Sequence, residues 1–450
     1  MEDDSVINWI TWYNQQMQWL FNYVQVNHYY QMNVRKRKVA AVTALLLHMK
    51  RKRYTKKKHW VAPIFQERKV HGFFHAVLPK FILEDLRFHN YIRMSATQFE
   101  NLTLLIGADI FKQHHIREPI DVAERLLMTL RYLASGDSIS SICYQYLVGL
   151  TTAANIISET CQALWNNLSS IVLPADLSED KWLTVANNFA DKWNFPHCIG
   201  AIDGKHIIIQ CPAKAGSSYY NYKGSHSVVL LAICDANYIF QFVDIGAYGR
   251  RSDGGIFKES VFGQKFENNE MKLPKPAPIS ENGDNLPYCL VGDEAFPLKT
   301  YLLRPYPGKQ NTEYEKRVFN YRLSRARRTI ENSFGILANR WRIFRKPIIL
   351  SVDNTMKIVQ ATVCLHNWLR MADLNEEENI QYVTPELIDR QNENGFVPGS
   401  WRADMETLSG MADITRSGNN SSTRQAAEVR EKFLYYFNND GAVDWQYAYM

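Results

Sequence analysis

The sequence has no Cys-x-x-Cys pair, and its seven cysteines are an odd number. That usage argues against a disulfide framework and against a structural zinc site. Most of the cysteines lie in apolar runs such as Leu231-Ala-Ile-Cys234, where a thiol acts as a small hydrophobe. No uncharged apolar run approaches the roughly 20 residues that span a bilayer. The first residues, Met1-Glu-Asp-Asp4, are acidic where a secretory leader is basic. Together these absences predict a soluble, intracellular chain with no membrane partner. Acid is also missing between Arg35 and Lys58, a stretch that holds eleven Lys or Arg residues. Residues 374–379, by contrast, run acidic. A basic block set apart in this way suits nucleic acid better than a small-molecule substrate.

At 450 residues, 46% of them hydrophobic, the chain can build a large core and two or three domains. The net charge of +6 is a mild bias toward acidic partners and says little about fold. Residues 1–34, rich in Gln, Asn, Tyr and Trp, show no clear period and are left unassigned. Residues 1–60 therefore read as a basic and aromatic extension. From 61 to 170 the pattern is helical: Val122, Leu126, Leu130 and Leu133 mark one buried face, Gly136 ends that helix, and Asp137 or Ser138 caps the next. Between 198 and 293 the grammar is that of strands. Three runs rich in Val, Ile and Phe (198–210, 227–235, 238–247) precede a short helix (252–261), a Pro/Gly/Asn-rich connector and a buried strand (288–293). Helices return at about 313–338 and 353–371. Strands followed by a crossover helix, another strand and more helices predict an α/β domain over 171–372. Residues 373–425 read as a flexible polar linker and 426–450 as a C-terminal helix and tail.

Two acids end apolar strands, Asp203 after Cys198-Ile-Gly-Ala-Ile and Asp293 after Cys289-Leu-Val-Gly. An ionised carboxylate there is costly without a cation or hydrogen bonds, and ligands of open α/β sheets gather beyond such strand ends. A third acid, Glu331, borders a helix face formed by Phe319, Leu323, Ala326, Ile330, Phe334 and Leu337. Arg327 and Arg328 lie one turn before it, and Gly335 one turn after leaves room for close approach. Each acid has a plainer reading in isolation. A strand-end Asp is commonly a turn or cap residue, and Glu331 with its arginines is an ordinary helix ion pair.

Five stretches resemble the Harbinger-type DDE endonuclease family, the nuclease core of PIF/Harbinger-type transposases. They are Ile199-Gly-Ala-Ile-Asp-Gly-Lys-His206, Tyr220-Asn-Tyr-Lys-Gly224, Asp244-Ile-Gly-Ala-Tyr-Gly249 with Ser252-Asp-Gly-Gly255, Gly292-Asp-Glu-Ala-Phe-Pro-Leu298, and Arg327-Arg-Thr-Ile-Glu-Asn-Ser-Phe-Gly-Ile-Leu337 running into Arg340-Trp-Arg342. They follow the family's order, and the likeness covers most of residues 59–372. The resemblance implies a ribonuclease H-like mixed sheet flanked by helices, with Asp203, Asp293 and Glu331 as catalytic and metal-holding residues. The last two acids are 38 positions apart, in keeping with the class. It further implies Mg²⁺ or Mn²⁺ as cofactor, since hard divalent ions take carboxylate oxygens and need no His or Cys. A pair of such ions cuts a phosphodiester by activating a nucleophile and stabilising the leaving oxygen. Asp253, which opens the crossover helix, ranks as a helix cap or DNA contact. Lys205, His206, Lys223, Arg250, Arg251, Arg327 and Arg328 lie near the motifs and are the expected phosphate contacts.

The helical region contains Ser138–Leu147, a Val148-Gly-Leu turn and Thr151–Trp165, the layout of a helix-turn-helix. Its exposed face (Thr151, Thr152, Asn155) carries no cation, so it reads sequence poorly by itself. The resemblance supplies a separate Myb-like DNA-binding partner, and a homo-oligomer is a further possibility. The expected protein is a nuclear, metal-dependent DNA endonuclease with a possible cytoplasmic pool. Its import would run through Lys50-Arg-Lys-Arg53 and Lys56-Lys-Lys58. The rivals are a domesticated, non-catalytic DNA- or chromatin-binding protein on the same fold, and an RNA-cleaving ribonuclease H relative.

Overall fold

The computed structural model describes residues 3–50, 59, 61–113, 118–173, 176–281, 283–308, 313–375, 380–392, 395–406, 410–413 and 422–449. It divides into two compact units, 1–63 and 64–450. The first is dominated by one helix, α1 (Asp3–Lys50), of 48 residues. This is the stretch in which the sequence shows no period. Its aromatic residues, Trp9, Trp12, Trp19 and Tyr29 among them, are exposed. Residues 51–58, which hold most of the proposed import signal, lie outside the described residues. Among the described residues no helix is long and apolar enough to cross a membrane.

The second unit opens with α2 (Asp85–Ile92), α3 (Ala96–Ile110), α4 (Val122–Ser135), α5 (Ile139–Tyr146) and α6 (Leu150–Val172). Gly136 ends α4 in the left-handed conformation (φ 67°), and the Ser138 hydroxyl caps α5 by accepting from the Ser141 amide at 3.2 Å. The α5–α6 pair has the predicted helix-turn-helix layout, with Ile142, Tyr146, Ile156, Ile157 and Leu164 buried and Thr151, Thr152 and Asn155 exposed. α6 runs on well past the expected end.

Then come α7 (Glu179–Trp193), β1 (Cys198–Ile209), β2 (His226–Cys234), β3 (Phe240–Tyr248), α8 (Asp253–Glu259), α9 (Val261–Glu267), β4 (Cys289–Val291), β5 (Leu302–Leu303), α10 (Tyr314–Arg340), α11 (Val352–Leu374), α12 (Ser400–Glu406), β6 (Met411–Asp413) and α13 (Arg424–Asn438). The sheet order is β3-β2-β1-β4-β5, with β6 also pairing with β1. β1–β2 and β2–β3 are antiparallel, whereas β1–β4 and β4–β5 are parallel. One face packs on α6, α10 and α11 through residues such as Ala201, Val228, Leu230 and Phe240. The other packs on α8 and α9 through Ile202, Leu231, Ile233 and Phe242. This is a mixed α/β, ribonuclease H-like fold preceded by a helical region.

Two expectations about boundaries change. The helical region is not set off at residue 170: α6 lies along α11, and the Ser158 hydroxyl donates to Asn354 Oδ1 at 2.9 Å, so 64–450 is one unit. The segment 373–425, expected to be a flexible linker, carries ordered elements among its described residues. Tyr382 is buried against His366, Arg390–Asn392 pairs with Gly395–Val397, and β6 pairs with β1. Its anchor is Trp401. A Cβ at Gly335 would collide with the Trp401 indole, so the glycine makes room for the ring and not for a ligand. The indole N–H donates to Asn332 Oδ1 at 2.8 Å. A polar composition misled here because one buried tryptophan can dock a segment whose remaining residues face water.

Trp401→Ala should lower the unfolding free energy by about 3 kcal/mol or more, the usual cost of emptying a buried aromatic site. Urea unfolding followed by circular dichroism measures it. A change within about 0.5 kcal/mol, typical of a surface residue, would mean that the segment is not docked.

Candidate active site

The site is assembled by strand register. β1 and β4 pair in parallel with Ala201 beside Val291, so Asp203 and Asp293 stand two residues further on, at matching points of neighbouring chain segments. Neighbouring strands lie roughly 4.8 Å apart, which sets the two backbones side by side. β1 continues past Asp203 to Ile209, so Asp203 lies within its strand, and Asp293 alone follows a strand end. The apolar run does not stop at Asp203 because Ile207, Ile208 and Ile209 carry it on. Asp203 is 6% exposed. Burial pushes its carboxyl up, Lys205 and Arg327 oppose that, and the nearby Glu331 adds to the rise. Asp293 is pushed up to about 6, by burial first and by Asp203 second. Its Oδ1 accepts from the Ala295 amide at 2.9 Å.

Glu331 reaches the same region from α10, whose predicted apolar face is buried throughout. Arg327 bridges to it at 2.6 Å and Arg402 at 3.2 Å. Burial opposes its charge, but Arg327, Lys205 and Arg402 outweigh that and hold its carboxyl below the usual value. Arg402 is itself held by the buried Asp389, through Nε at 2.9 Å and Nη2 at 2.5 Å. The structure thus gathers Asp203, Asp293, Glu331, Lys205 and Arg327 around one point. Lys205 is buried with its ammonium 5.6 Å from the Phe334 ring centre, and burial lowers its pKa despite Asp203 and Glu331.

Asp253 also belongs here, and its assignment as a cap or DNA contact is corrected. It does open α8, but its carboxylate caps nothing: the residue is fully buried and neither oxygen has a hydrogen-bond partner. Burial, then Asp203, then Asp293 push its carboxyl well above the ordinary range. A Cβ on Gly254 would stand 2.9 Å from the Ala295 carbonyl, so this glycine allows α8 to close against the loop after Asp293. The Gly-Gly after Asp253 was the signal of such an approach. Arg402 and Asp389 had none, because they lie in the segment read as a linker.

The other expected phosphate contacts scatter. His206 is wholly buried, bonded through Nδ1 to Ser227 Oγ at 2.9 Å, and lowered to about 4 by burial; it cannot touch DNA from there. Lys223 is exposed above the Tyr222 ring. Arg250 and Arg251 line a separate small cleft with Tyr220 and Tyr222, and Arg251 is paired with Glu259. Arg328 lies 4.7 Å from the Phe396 ring centre, and the described ion pairs of Glu331 are with Arg327 and Arg402.

Two buried aspartates and a half-buried third offer hard oxygen donors, and one of them has both oxygens unsatisfied. That set fits a divalent cation, because a buried carboxylate without partners is costly until a cation compensates it. Among the described residues no three such groups stand at coordinating distance as placed. Glu331 is drawn instead to its two arginines.

A ribonuclease H-like sheet with acids on adjacent strands, another at the crossover helix and a fourth on a later helix defines a class of nucleic-acid-processing folds. Residues 202–367 match the family described as DDE superfamily endonuclease. Protein ALP1-like of Arabidopsis thaliana is 28% identical over 289 residues, 62% of this chain and 70% of that protein. The Arabidopsis protein named antagonist of like heterochromatin protein 1 is 27% identical over 274 residues, 58% and 67% of the two chains. HARBI1 of Rattus norvegicus, which its name provisionally calls a nuclease, is 25% identical over 308 residues, 66% and 82%. No solved structure matches the chain. Residues 202–367 thus match a DDE superfamily endonuclease domain, and the chain is homologous to the ALP1-like and HARBI1 proteins.

The raised carboxyls carry a pH signature. Well below the ordinary value of 3.8, folded and unfolded chains both hold the Asp293 proton. As pH rises toward about 6 the unfolded chain releases it first, so this group makes the metal-free protein less stable with rising pH. Asp293→Asn should raise metal-free stability at pH 7.5 by about 1–3 kcal/mol. The gain should fall to about 0.5 kcal/mol near pH 4 and vanish only below about pH 3, under the ordinary value of 3.8. An equal gain at both pH values in thermal melts would trace the effect to packing rather than charge.

Proposed function

We propose that this protein is a divalent-metal-dependent DNA endonuclease of transposase origin. The observation that carries the reading is Asp253: a fully buried carboxylate with both oxygens unpartnered, beside Asp203 and Asp293, in a DDE superfamily endonuclease domain. A binding module has no use for three desolvated aspartates, whereas hydrolysis of a phosphodiester has. Asp203, Asp253 and Asp293 would hold Mg²⁺ or Mn²⁺, and Glu331 would join by exchanging Arg327 and Arg402 for the ion. When bound, a pair of such ions lowers the pKa of a water and stabilises the leaving 3′-oxygen.

The chain's own residues supply the rest. Lys205 and Arg327 offset the negative charge that the acids and a phosphate bring together, and Arg327, freed from Glu331, can orient a phosphate oxygen by charge-assisted hydrogen bonds. Burial of the site excludes bulk water from those contacts and strengthens them. The helix-turn-helix face of α6 (Thr151, Thr152, Asn155) is exposed but has no cation. A separate Myb-like DNA-binding partner would supply the sequence reading that it lacks. The basic run at 50–58 would direct the chain to the nucleus.

One observation favours the rival, a host-adopted protein that binds DNA or chromatin without cutting it. Glu331 is saturated by two arginines, one of them tied to Asp389. The name of the second Arabidopsis relative, an antagonist of a heterochromatin protein, points the same way for that protein. Cleavage decides between them. Purified chain with a duplex carrying transposon-type terminal repeats should cut in Mg²⁺ or Mn²⁺ and not in EDTA. Asp203→Asn, Asp253→Asn and Asp293→Asn should each reduce cutting by roughly a thousandfold or more, about 4 kcal/mol of barrier, while DNA affinity changes little because it rests on phosphate contacts. Mn²⁺ titration by calorimetry gives a second readout: binding heat in the native chain, lost in Asp253→Asn. A native chain that neither cuts nor binds Mn²⁺ would leave the non-catalytic reading standing.

Import has its own check. Replacing Lys50-Arg-Lys-Arg53 and Lys56-Lys-Lys58 with alanine should leave a tagged chain in the cytoplasm. Undiminished nuclear signal would reject these residues as the import sequence.

A further inference from the structure

Where α7, α10, α11 and the segment at 388–390 meet, a pocket of about 420 Å³ is lined by Lys192, Arg325, Arg328, Arg370 and Arg390. They come from α7, α10, α11 and the Arg390–Asn392 strand, elements far apart in sequence. The acid in its lining, Asp389, is buried and bound by Arg402 through three contacts. Arg370 is shared with Asp373 at 3.3 Å, and Asp235 stands behind the wall near Arg370 and Lys192. Arg328 and Arg390 form no ion pair among the described residues. Gathering like charges from four elements into one cavity costs free energy; Arg325 lies over the Trp445 ring and Lys192 donates to Asn237 Oδ1, and an anion would offset what such contacts leave. The lining also holds Trp193 and Tyr238, which meet edge to face with centres 6.3 Å apart, the Arg370 guanidinium lying 5.8 Å from the Tyr238 ring centre. Cations beside aromatic faces are the means by which proteins hold single-stranded nucleic acid, phosphate on the first and base on the second. The volume falls within the roughly 300–1,000 Å³ range of small-ligand sites, enough for one nucleotide unit.

The pocket is also wired to the acids. Asp389 belongs to its wall and holds Arg402, which reaches Glu331 at 3.2 Å, and Arg328 is the chain neighbour of Arg327. We propose that this pocket receives a nucleotide of the DNA strand flanking the bond to be cut, its phosphate on the arginines and its base against Trp193 and Tyr238. This rests on the nuclease reading for its location next to a scissile bond. The binding itself needs no metal. An anion seated here would stand near Asp389, the residue that holds Arg402, and so couple strand binding to the contact of Arg402 with Glu331.

The test uses the full chain in EDTA and a short, fluorescently labelled oligothymidylate strand, titrated over a range of salt. Arg328→Gln/Arg390→Gln should bind at least about tenfold more weakly. Its slope of log affinity against log salt should flatten by about 0.7, the amount for the one single-strand phosphate that is no longer neutralised. Trp193→Phe should remove part of the tryptophan quenching that the strand produces. Lys80→Gln, an exposed cation remote in sequence, controls for loss of net charge, and unchanged circular dichroism controls for folding. An unaltered slope in the double variant, or an equal loss in Lys80→Gln, would overturn the pocket. With metal absent, the outcome is independent of cleavage. A chain that binds through these arginines but never cuts overturns the nuclease reading alone. A chain that cuts while both arginines are dispensable overturns the pocket alone.

Discussion

Asp203 lies in the central strand of the sheet, hydrogen-bonded to β2 on one side and to β4 and β6 on the other. A carboxylate in that position cannot regain water by a local movement, because the strand is pinned in the sheet and the face that carries Asp203 is covered, leaving it 6% exposed. The surrounding arrangement answers that constraint. Lys205 shares the strand face two residues on, Arg327 arrives from α10, and both keep an ionised Asp203 tolerable against burial. Asp253 and Asp293 worsen the balance, and their own carboxyls rise in response. A divalent cation would reverse every one of these penalties together. The metal-free site is thus an electrostatic deficit concentrated in one region of the sheet.

The C-terminal segment limits how that deficit is expressed. Trp401 fits over α10 where Gly335 has no side chain, which carries Arg402 to Glu331 and Asp389 to the wall of the basic pocket. β6 then adds to the free edge of the long strand β1, opposite Lys205, His206 and Ile207. Glu331 is consequently the one acid of the group that is held in its charged form by cations, while the aspartates are raised. Access of Glu331 to an ion depends on a segment some seventy positions away in the chain, 402 − 331 = 71.

Much of this was legible from the residues. Runs of Val and Ile between turn-forming residues marked β1 to β3 within a few positions, and the apolar spacing from Phe319 to Leu337 marked the buried face of α10 correctly. Both are local periodicities, and tertiary packing only reinforced them. Asp203 and Asp293 could be picked out because a charge after an apolar run is an anomaly wherever it occurs. The 48-residue helix α1 was not legible: its aromatic and amide residues follow no apolar stripe, and nearly all of its described side chains are exposed.

Sequence alone determined which acids follow apolar strand residues and which helix carries Glu331, since those depend on neighbours within a turn or a strand. It could not determine which groups meet. Asp253 looked like a helix cap or DNA contact because it opens the crossover helix, and only the closure of α8 on the loop after Asp293 buries it without a partner. His206 looked like a phosphate contact, and only the sheet pairing turns it into the interior beside Ser227. Gly335 looked like room for a ligand, and only the return of the chain at Trp401 fills it. The physical reason is common to all three. Burial and electrostatic coupling depend on distance in space, and where β1, α8, α10 and the C-terminal segment converge, that distance bears no relation to separation along the chain.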